Sequence, residues 1–289
     1  MPILILGGRG NLGSQLTRVF AEDYDTISWD HEDLDVLDFK LLEDRITTIR
    51  PELIINTVAY NAVDNCEAKD GILDARKLNI DLPAKLADIC LKFGITLIHY
   101  SSDYVFSGTK EKQFFVEDEI PNPINKYGET KFFGEMEINK RLEYGLSYYI
   151  IRTSKLFGPP GKSAAAKKSF FDIMLNTAKS DSQKELTIVN EEQSCFTYTP
   201  DLAKATKRLW ELKVPFGTFH LVNEDACTWY EAAVELFRLA GLKPKIRSVR
   251  SEDLFRAARR PKYSILKNTK VKKLRSYKQA LAEYLGVRI

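Results

Sequence analysis

The chain has 289 residues, 44% of them hydrophobic and 29% charged, which is enough apolar material for a sizeable core and too little charge imbalance for disorder. Lys plus Arg total 43 against 40 Asp plus Glu, for a net charge of +3, and no self-similar period runs along the sequence, so a polyanionic tail and a repeat array are both excluded. At roughly 100–200 residues per domain, the length accommodates one large domain or two intimately associated ones.

Residues 2–6 form a short apolar run that ends in Gly7-Gly8-Arg9-Gly10-Asn11-Leu12-Gly13, after which Leu16, Val19 and Phe20 recur at helical spacing. That pattern predicts strand, tight turn and helix. Residues 24–29 read as a second strand, 39–49 as an amphipathic helix, and 53–58 as an apolar strand. A helical pattern follows over 74–93, with Pro83 implying a kink or a late start, and 95–100 reads as the next buried strand. Residues 127–142 predict a helix and 146–152 a strand. Such βαβ alternation requires parallel strands joined by right-handed crossovers, so the predicted class is α/β, a doubly wound parallel sheet of the Rossmann type.

Beyond Gly158-Pro159-Pro160-Gly161 the pattern turns irregular, with helices expected at 169–178, after Pro200 and at 228–240, and strands at 186–190 and 218–223. The expected organisation is a dinucleotide-binding domain over 1–155 and a smaller α/β substrate lobe over 156–289, interleaved with the first and without a clean hinge. Charge is uneven between them: residues 238–278 carry a formal +13 and the remainder −10. The basic stretch reads either as a solvated face or as an attractor of an anionic small molecule. It has no zinc, homeodomain or RNA-recognition signature, so no nucleic-acid partner is expected.

The opening run lacks a basic flank and a cleavage site, and no stretch approaches the roughly 20 apolar residues that span a bilayer, so the expectation is a cytoplasmic protein with no membrane contact. Cys66, Cys90, Cys195 and Cys227 have no metal-knuckle or redox spacing, which predicts buried thiols and no disulfide. Asp64 and Glu67 lack a third converging ligand, so no metal site is expected and a helix-start role is assigned to them. His99 and His220 sit in apolar strands and read as satisfied buried imidazoles; Trp29, Trp210 and Trp229 read as packing.

The loop from Gly7 through Arg9, Gly10, Asn11 and Leu12 to Gly13 spaces its glycines G-x-x-G-x-x-G between a strand and a helix, where backbone N–H groups meet a pyrophosphate. Asp30, at the end of the second strand, suits the adenosine ribose of NAD, whereas Arg9 and His31 suit the 2′-phosphate of NADP. Both coenzymes stay open at this point. Tyr127-Gly128-Glu129-Thr130-Lys131 places a phenol and an amine one helical turn apart, and a neighbouring cation favours a phenolate. Ser102 ends a strand about 25 residues earlier, so its hydroxyl and the phenol can meet one carbonyl oxygen while a nicotinamide delivers hydride to the carbon.

The order of glycine loop, Ser-Asp-Tyr-Val-Phe-Ser-Gly at 102–108 and Tyr-x-x-x-Lys resembles the extended short-chain dehydrogenase/reductase family. Ile54 through Asp64 with Glu67, Leu78-Asn79, Arg152-Thr153-Ser154 and Arg260-Pro261 with Ser264 are similar to its dTDP-4-dehydrorhamnose reductases, over nearly the whole chain. The resemblance implies NAD(P)H-dependent reduction of a 4-keto group on a nucleotide-activated deoxysugar, with Ser102, Tyr127 and Lys131 as catalytic triad. It also implies that Asp35 and Val36 lie near the adenine, that Ala59 and Tyr60 line the coenzyme, that Asn61, Val63, Asp103 and Phe106 border the sugar, and that Asn79 supports a proton relay beside the coenzyme. Lys155 stands where the family usually places a Trp against the sugar, so stacking is replaced by charge there; with Arg260 it is counted among the substrate-binding candidates. Residues 191–197 and Tyr263 also depart from the family pattern, which reshapes the pocket. A homodimer is compatible with this reading. The competing reading is a regulatory subunit that keeps the dinucleotide fold without turnover, as in the regulatory subunit of methionine adenosyltransferase.

Overall fold

The computed structural model describes residues 1–109, 114–163, 166–180 and 185–288. Six parallel strands form one sheet in the order Gly217–His220, Tyr148–Thr153, Thr96–Ser102, Leu53–Asn56, Ile3–Leu6, Thr26–Trp29. The inner strands read as unbroken apolar runs because both of their faces are covered. Leu4, Leu6, Ile54, Leu97 and Ile150 face the helices Phe39–Ile49, Leu82–Phe93 and Lys126–Asn139, while Ile3, Ile5, Ile55, Ile98 and Ile151 face Asn11–Phe20 and Thr199–Glu211. Strand order reverses between Ile3–Leu6 and Leu53–Asn56, which makes the carboxyl ends of those two strands the crevice where such sheets take ligands.

The later half contributes Gly217–His220 to the sheet edge and builds a second core from Phe171, Phe196, Leu236 and Leu281 with the helices Phe170–Ser180, Trp229–Ala240 and Tyr277–Tyr284. The basic stretch is largely answered within the fold: Arg256 pairs with Glu192, Arg260 with Asp64, Lys270 with Asp118, Lys273 with Glu224 and Arg275 with Asp201 and Glu283. Part of its charge therefore clasps acidic residues elsewhere in the chain, a use its composition did not suggest.

One element departs from expectation. The helix predicted over 74–93 starts at Lys69, and Lys77–Asp81 is a π-helical turn that runs into Leu82–Phe93 without a break at Pro83. Pro83 lacks the N–H that would bond the Asn79 carbonyl, and Gly134 of the neighbouring helix packs on that oxygen instead; a Cβ there would lie 2.1 Å from it.

Candidate active site

Strand Thr96–Ser102 carries Ser102 to the carboxyl edge of the sheet, and helix Lys126–Asn139 brings Tyr127 and Lys131 to the same place. Asn125 caps that helix, its Oδ1 accepting the Gly128 N–H at 2.8 Å, and its Nδ2 donates to the Arg259 carbonyl at 2.8 Å. Glu67 accepts the Lys126 N–H at 2.9 Å, so the helix start that it serves is this one and not its own. Gly128 is required by contact: a Cβ on it would sit 2.2 Å from the Tyr104 carbonyl oxygen.

The Ser102 hydroxyl donates to Asp103 Oδ1 at 3.0 Å, accepts the Tyr104 N–H at 3.1 Å, and neighbours the Tyr127 phenol. The Tyr127 ring meets Tyr104 edge-on, with centroids 5.9 Å apart. Burial pushes the phenol above its ordinary range, so it is protonated at neutral pH. Lys131 is buried and its ammonium donates to the Tyr100 carbonyl at 2.7 Å; burial lowers it to about 8. The expected lowering of the tyrosine by the lysine is thus corrected: desolvation dominates the phenol, and the ammonium is engaged with backbone. One turn further, Glu135 and Arg152 form a buried bidentate pair, with the Glu135 Oε2 2.6 Å from the Arg152 Nη2.

Asp103 and Phe106, expected to border the sugar, lie deeper than that. Asp103 is 3% exposed; its Oδ1 accepts from Ser102 (3.0 Å), and its Oδ2 is surrounded by the hydroxyls of Ser154 (3.0 Å), Ser194 (3.0 Å) and Ser264 (2.7 Å), the first two of which also hydrogen-bond each other. It ties three other chain segments to the reacting strand end. Phe106 is 1% exposed, stacked on Phe115 at 4.3 Å and covered by the Arg152 guanidinium at 5.1 Å. Asn61 is exposed and Val63 half-buried on the loop after strand Leu53–Asn56. Asp64, on the same loop, accepts the Ala258 N–H at 3.0 Å and the Arg260 guanidinium at 2.7 Å.

Lys155 has a left-handed backbone (φ +38°) just beyond strand Tyr148–Thr153, and its ammonium lies 3.9 Å from the Trp229 ring and 5.1 Å from Phe196. It is buried with no hydrogen-bond partner, and burial lowers it to about 8. Trp229, read from sequence as packing alone, is thus the floor under this cation, with its Nε1 donating to Glu192 at 3.0 Å. Between the two halves, Phe255, Arg256, Arg259, Arg260 and Lys262 line a cleft of about 490 Å³ whose wall includes Ile124, three residues before Tyr127.

The glycine loop fits a dinucleotide. Gly7 is left-handed (φ +78°) and a Cβ on Gly13 would sit 2.0 Å from the Gly7 carbonyl, so the loop closes tightly at the start of helix Asn11–Phe20, where Leu12 is buried. Asp30 is at the end of the neighbouring strand, its Oδ2 accepting the Arg9 N–H at 3.0 Å. His31 Nδ1 lies 2.6 Å from the Asp30 Oδ1. Asp35 and Val36 follow on the loop after that strand, Asp35 exposed and Val36 half-buried. Ala59 and Tyr60 are half-buried beyond strand Leu53–Asn56. Asn79 holds Tyr60 at both backbone groups, 3.0 Å each, and donates to Thr130 at 2.9 Å, so its amide is a brace between this loop and the Tyr127 helix rather than a free relay. From the later half, Gly161 donates to Asn11 Oδ1 at 2.7 Å, Lys162 and Ser163 donate to the Arg9 carbonyl at 2.7 and 2.9 Å, and the Ser163 hydroxyl reaches Asp30 at 3.2 Å. This strap was not legible in the sequence.

His99 Nδ1 pairs with Asn56 Nδ2 at 3.1 Å, but the Nε2 atoms of His99 and His220 have no partner, so these imidazoles are buried and only half satisfied. All four cysteines are free and buried. Among the described residues no group of His, Cys, Asp and Glu could hold a metal ion, and no helix is long and apolar enough to cross a membrane.

Known proteins match the chain over nearly its whole length. The spore coat polysaccharide biosynthesis protein SpsK of Bacillus subtilis is 30% identical over 99% of this chain and 97% of its own length. The crystal structure of a dTDP-4-dehydrorhamnose reductase from Clostridium acetobutylicum superposes with a TM-score of 0.89 at 33% identity, over 99% of both chains. That of a dTDP-4-dehydrorhamnose reductase from Bacillus anthracis in complex with NADP does so with 0.89 at 30% identity, over 98% of both. The family model described as the RmlD substrate binding domain matches residues 1–287, end to end across the sheet, the Ser102–Tyr127–Lys131 corner and the later lobe, and the chain belongs to that family.

Proposed function

We propose that this chain reduces the 4-keto group of a nucleotide-activated deoxysugar at the expense of NADH or NADPH, with 1–155 holding the coenzyme and 156–289 most of the substrate. The observation that carries the reading is the convergence of Ser102, at the carboxyl end of strand Thr96–Ser102, with the Tyr127 phenol and with Lys131 one turn along the same helix. The dihydronicotinamide supplies hydride when bound. Tyr127, kept protonated by burial, gives its phenolic proton to the carbonyl oxygen. Ser102, already oriented by Asp103 and the Tyr104 N–H, turns its hydroxyl to the same oxygen. Lys131 is placed to exchange its Tyr100 contact for a coenzyme ribose hydroxyl.

The basic cleft beside Ile124 is the seat of the substrate diphosphate: Arg256 and Arg260 are fixed by Glu192 and Asp64, and Arg259 and Lys262 supply further positive charge. Lys155 and Asn61 belong to the sugar side of that cleft. The names of the relatives support the substrate class, and four reduced buried thiols support a cytosolic place of work.

The test is turnover. Purified full-length chain is supplied with NADH or NADPH and a panel of nucleotide 4-ketosugars, and loss of dihydronicotinamide absorbance is followed together with the sugar product. Oxidation that requires a ketosugar supports the reading; none with any sugar would remove it and leave the non-catalytic alternative.

A further inference from the structure

We infer that the rim of Asp30, Glu32 and Asp33 makes this site select NADH over NADPH. The inference rests on the dinucleotide reading above and goes beyond it by choosing between coenzymes that differ only by a 2′-phosphate. In sheets of this type the residue ending the second strand meets the adenosine ribose, where a carboxylate takes the 2′-hydroxyl and an arginine accommodates a 2′-phosphate. The sequence offers both, Asp30 and Arg9, and the structure shows which of the two is free to act.

The Arg9 guanidinium is already held. Its Nη1 donates to Glu32 and its Nη2 to Asp33 Oδ1 at 3.0 Å. The loop over 30–33 that carries these carboxylates is itself fixed, since Asp33 Oδ2 accepts the Asp30 N–H at 2.9 Å and the Asp33 N–H bonds the Asp30 carbonyl at 2.9 Å. The other nearby cation candidate, His31, has its Nδ1 turned to Asp30 Oδ1 at 2.6 Å. A 2′-phosphate arriving here meets three carboxylates, one guanidinium committed to two of them, and an imidazole committed to the third. Formal charge over Arg9, Asp30, Glu32 and Asp33 is −2, so a phosphate dianion is repelled and would have to break Arg9 from its partners to be bound.

A ribose diol meets the reverse situation. Asp30 is 8% exposed and ionised, and one of its contacts is the Ser163 hydroxyl at 3.2 Å, the longest of the set. A ribose hydroxyl can replace Ser163 as donor without leaving a buried charge unpaired. Lys162 and Lys167 are exposed on the segment that straps the loop and carry positive charge that a phosphate could meet, which makes them the competing explanation to be tested.

The experiment is coenzyme binding without sugar, so that it does not depend on turnover. Full-length protein is titrated with NADH and NADPH, and binding is read from quenching of tryptophan emission and, independently, by calorimetry. The expected result is a Kd for NADH at least about tenfold below that for NADPH, with the gap narrowing as salt rises. The double substitution Glu32→Gln with Asp33→Asn leaves a side-chain carbonyl for the Asp30 N–H and releases Arg9. It should tighten NADPH by about tenfold or more and move NADH little. Equal or tighter NADPH binding by the unmodified chain would overturn the inference, as would a double variant, folded by circular dichroism, whose ratio is unchanged. NADPH binding lost on Lys162→Ala would show that the strap supplies the phosphate site and would likewise overturn it. Failure of both coenzymes to bind would end the dinucleotide reading as well, an outcome distinct from a wrong preference.

Discussion

Gly128 approaches Tyr104 so closely that a Cβ on the glycine would lie 2.2 Å from the tyrosine carbonyl oxygen. Because Gly128 directly follows Tyr127, this contact sets how near the phenol comes to Ser102. Gly128→Ala should push the helix start away by a fraction of an ångström to an ångström. The predicted outcome is a fall in turnover of about 10²-fold with coenzyme affinity retained, because a displaced donor loses near-attack geometry without touching the glycine loop. Turnover within a few-fold of the unmodified chain would show that the approach is slack.

The buried pair of Glu135 and Arg152 sits behind the reacting groups, with Glu135 one turn beyond Lys131. Glu135→Gln leaves the guanidinium buried without its counter-charge and should lower unfolding free energy by about 3–5 kcal/mol, read from urea denaturation. Adding Arg152→Met to that variant should recover part of the loss, because both charges are then gone. A single variant as stable as the parent would contradict this account of the pair.

Lys155 gives a pH-dependent test. Its folded value is lowered to about 8 by burial, below the ordinary lysine value that it regains on unfolding. Between those values the unfolded chain binds more protons at this site, so the penalty of burying the ammonium is present below pH about 8 and is relieved as pH rises toward 10. Lys155→Met should therefore be more stable than the parent at pH 7, with the advantage shrinking by pH 9.5, measured as the difference in denaturation midpoints. A variant less stable than the parent at pH 7 would mean that the contacts with Trp229 and Phe196 outweigh the desolvation.

What the sequence disclosed, it disclosed through local pattern. The glycine loop, the Tyr127–Lys131 spacing and the strand end at Ser102 are each contiguous, and the alternation of apolar runs with 3.6-residue periodicity made the doubly wound sheet readable. What it concealed depends on distant segments. Four serines from positions 102, 154, 194 and 264 converge on Asp103, and no spacing announces that. Asp103 and Phe106, placed at the sugar by the family resemblance, are buried at 3% and 1% exposure. Arg9 looked available to a phosphate because Glu32 and Asp33, its partners, lie more than 20 residues away. The π-helical turn at 77–81 was hidden by Pro83, which normally signals a break and here follows one turn of wider winding.

The most direct test of the central claim is the Tyr127→Phe variant assayed with a nucleotide 4-ketosugar under saturating coenzyme. Phenylalanine keeps the ring against Tyr104 and removes only the proton donor. The account predicts unchanged coenzyme binding and a turnover rate lower by about 10²–10⁴-fold. A variant that oxidises the dihydronicotinamide as fast as the unmodified chain would contradict it.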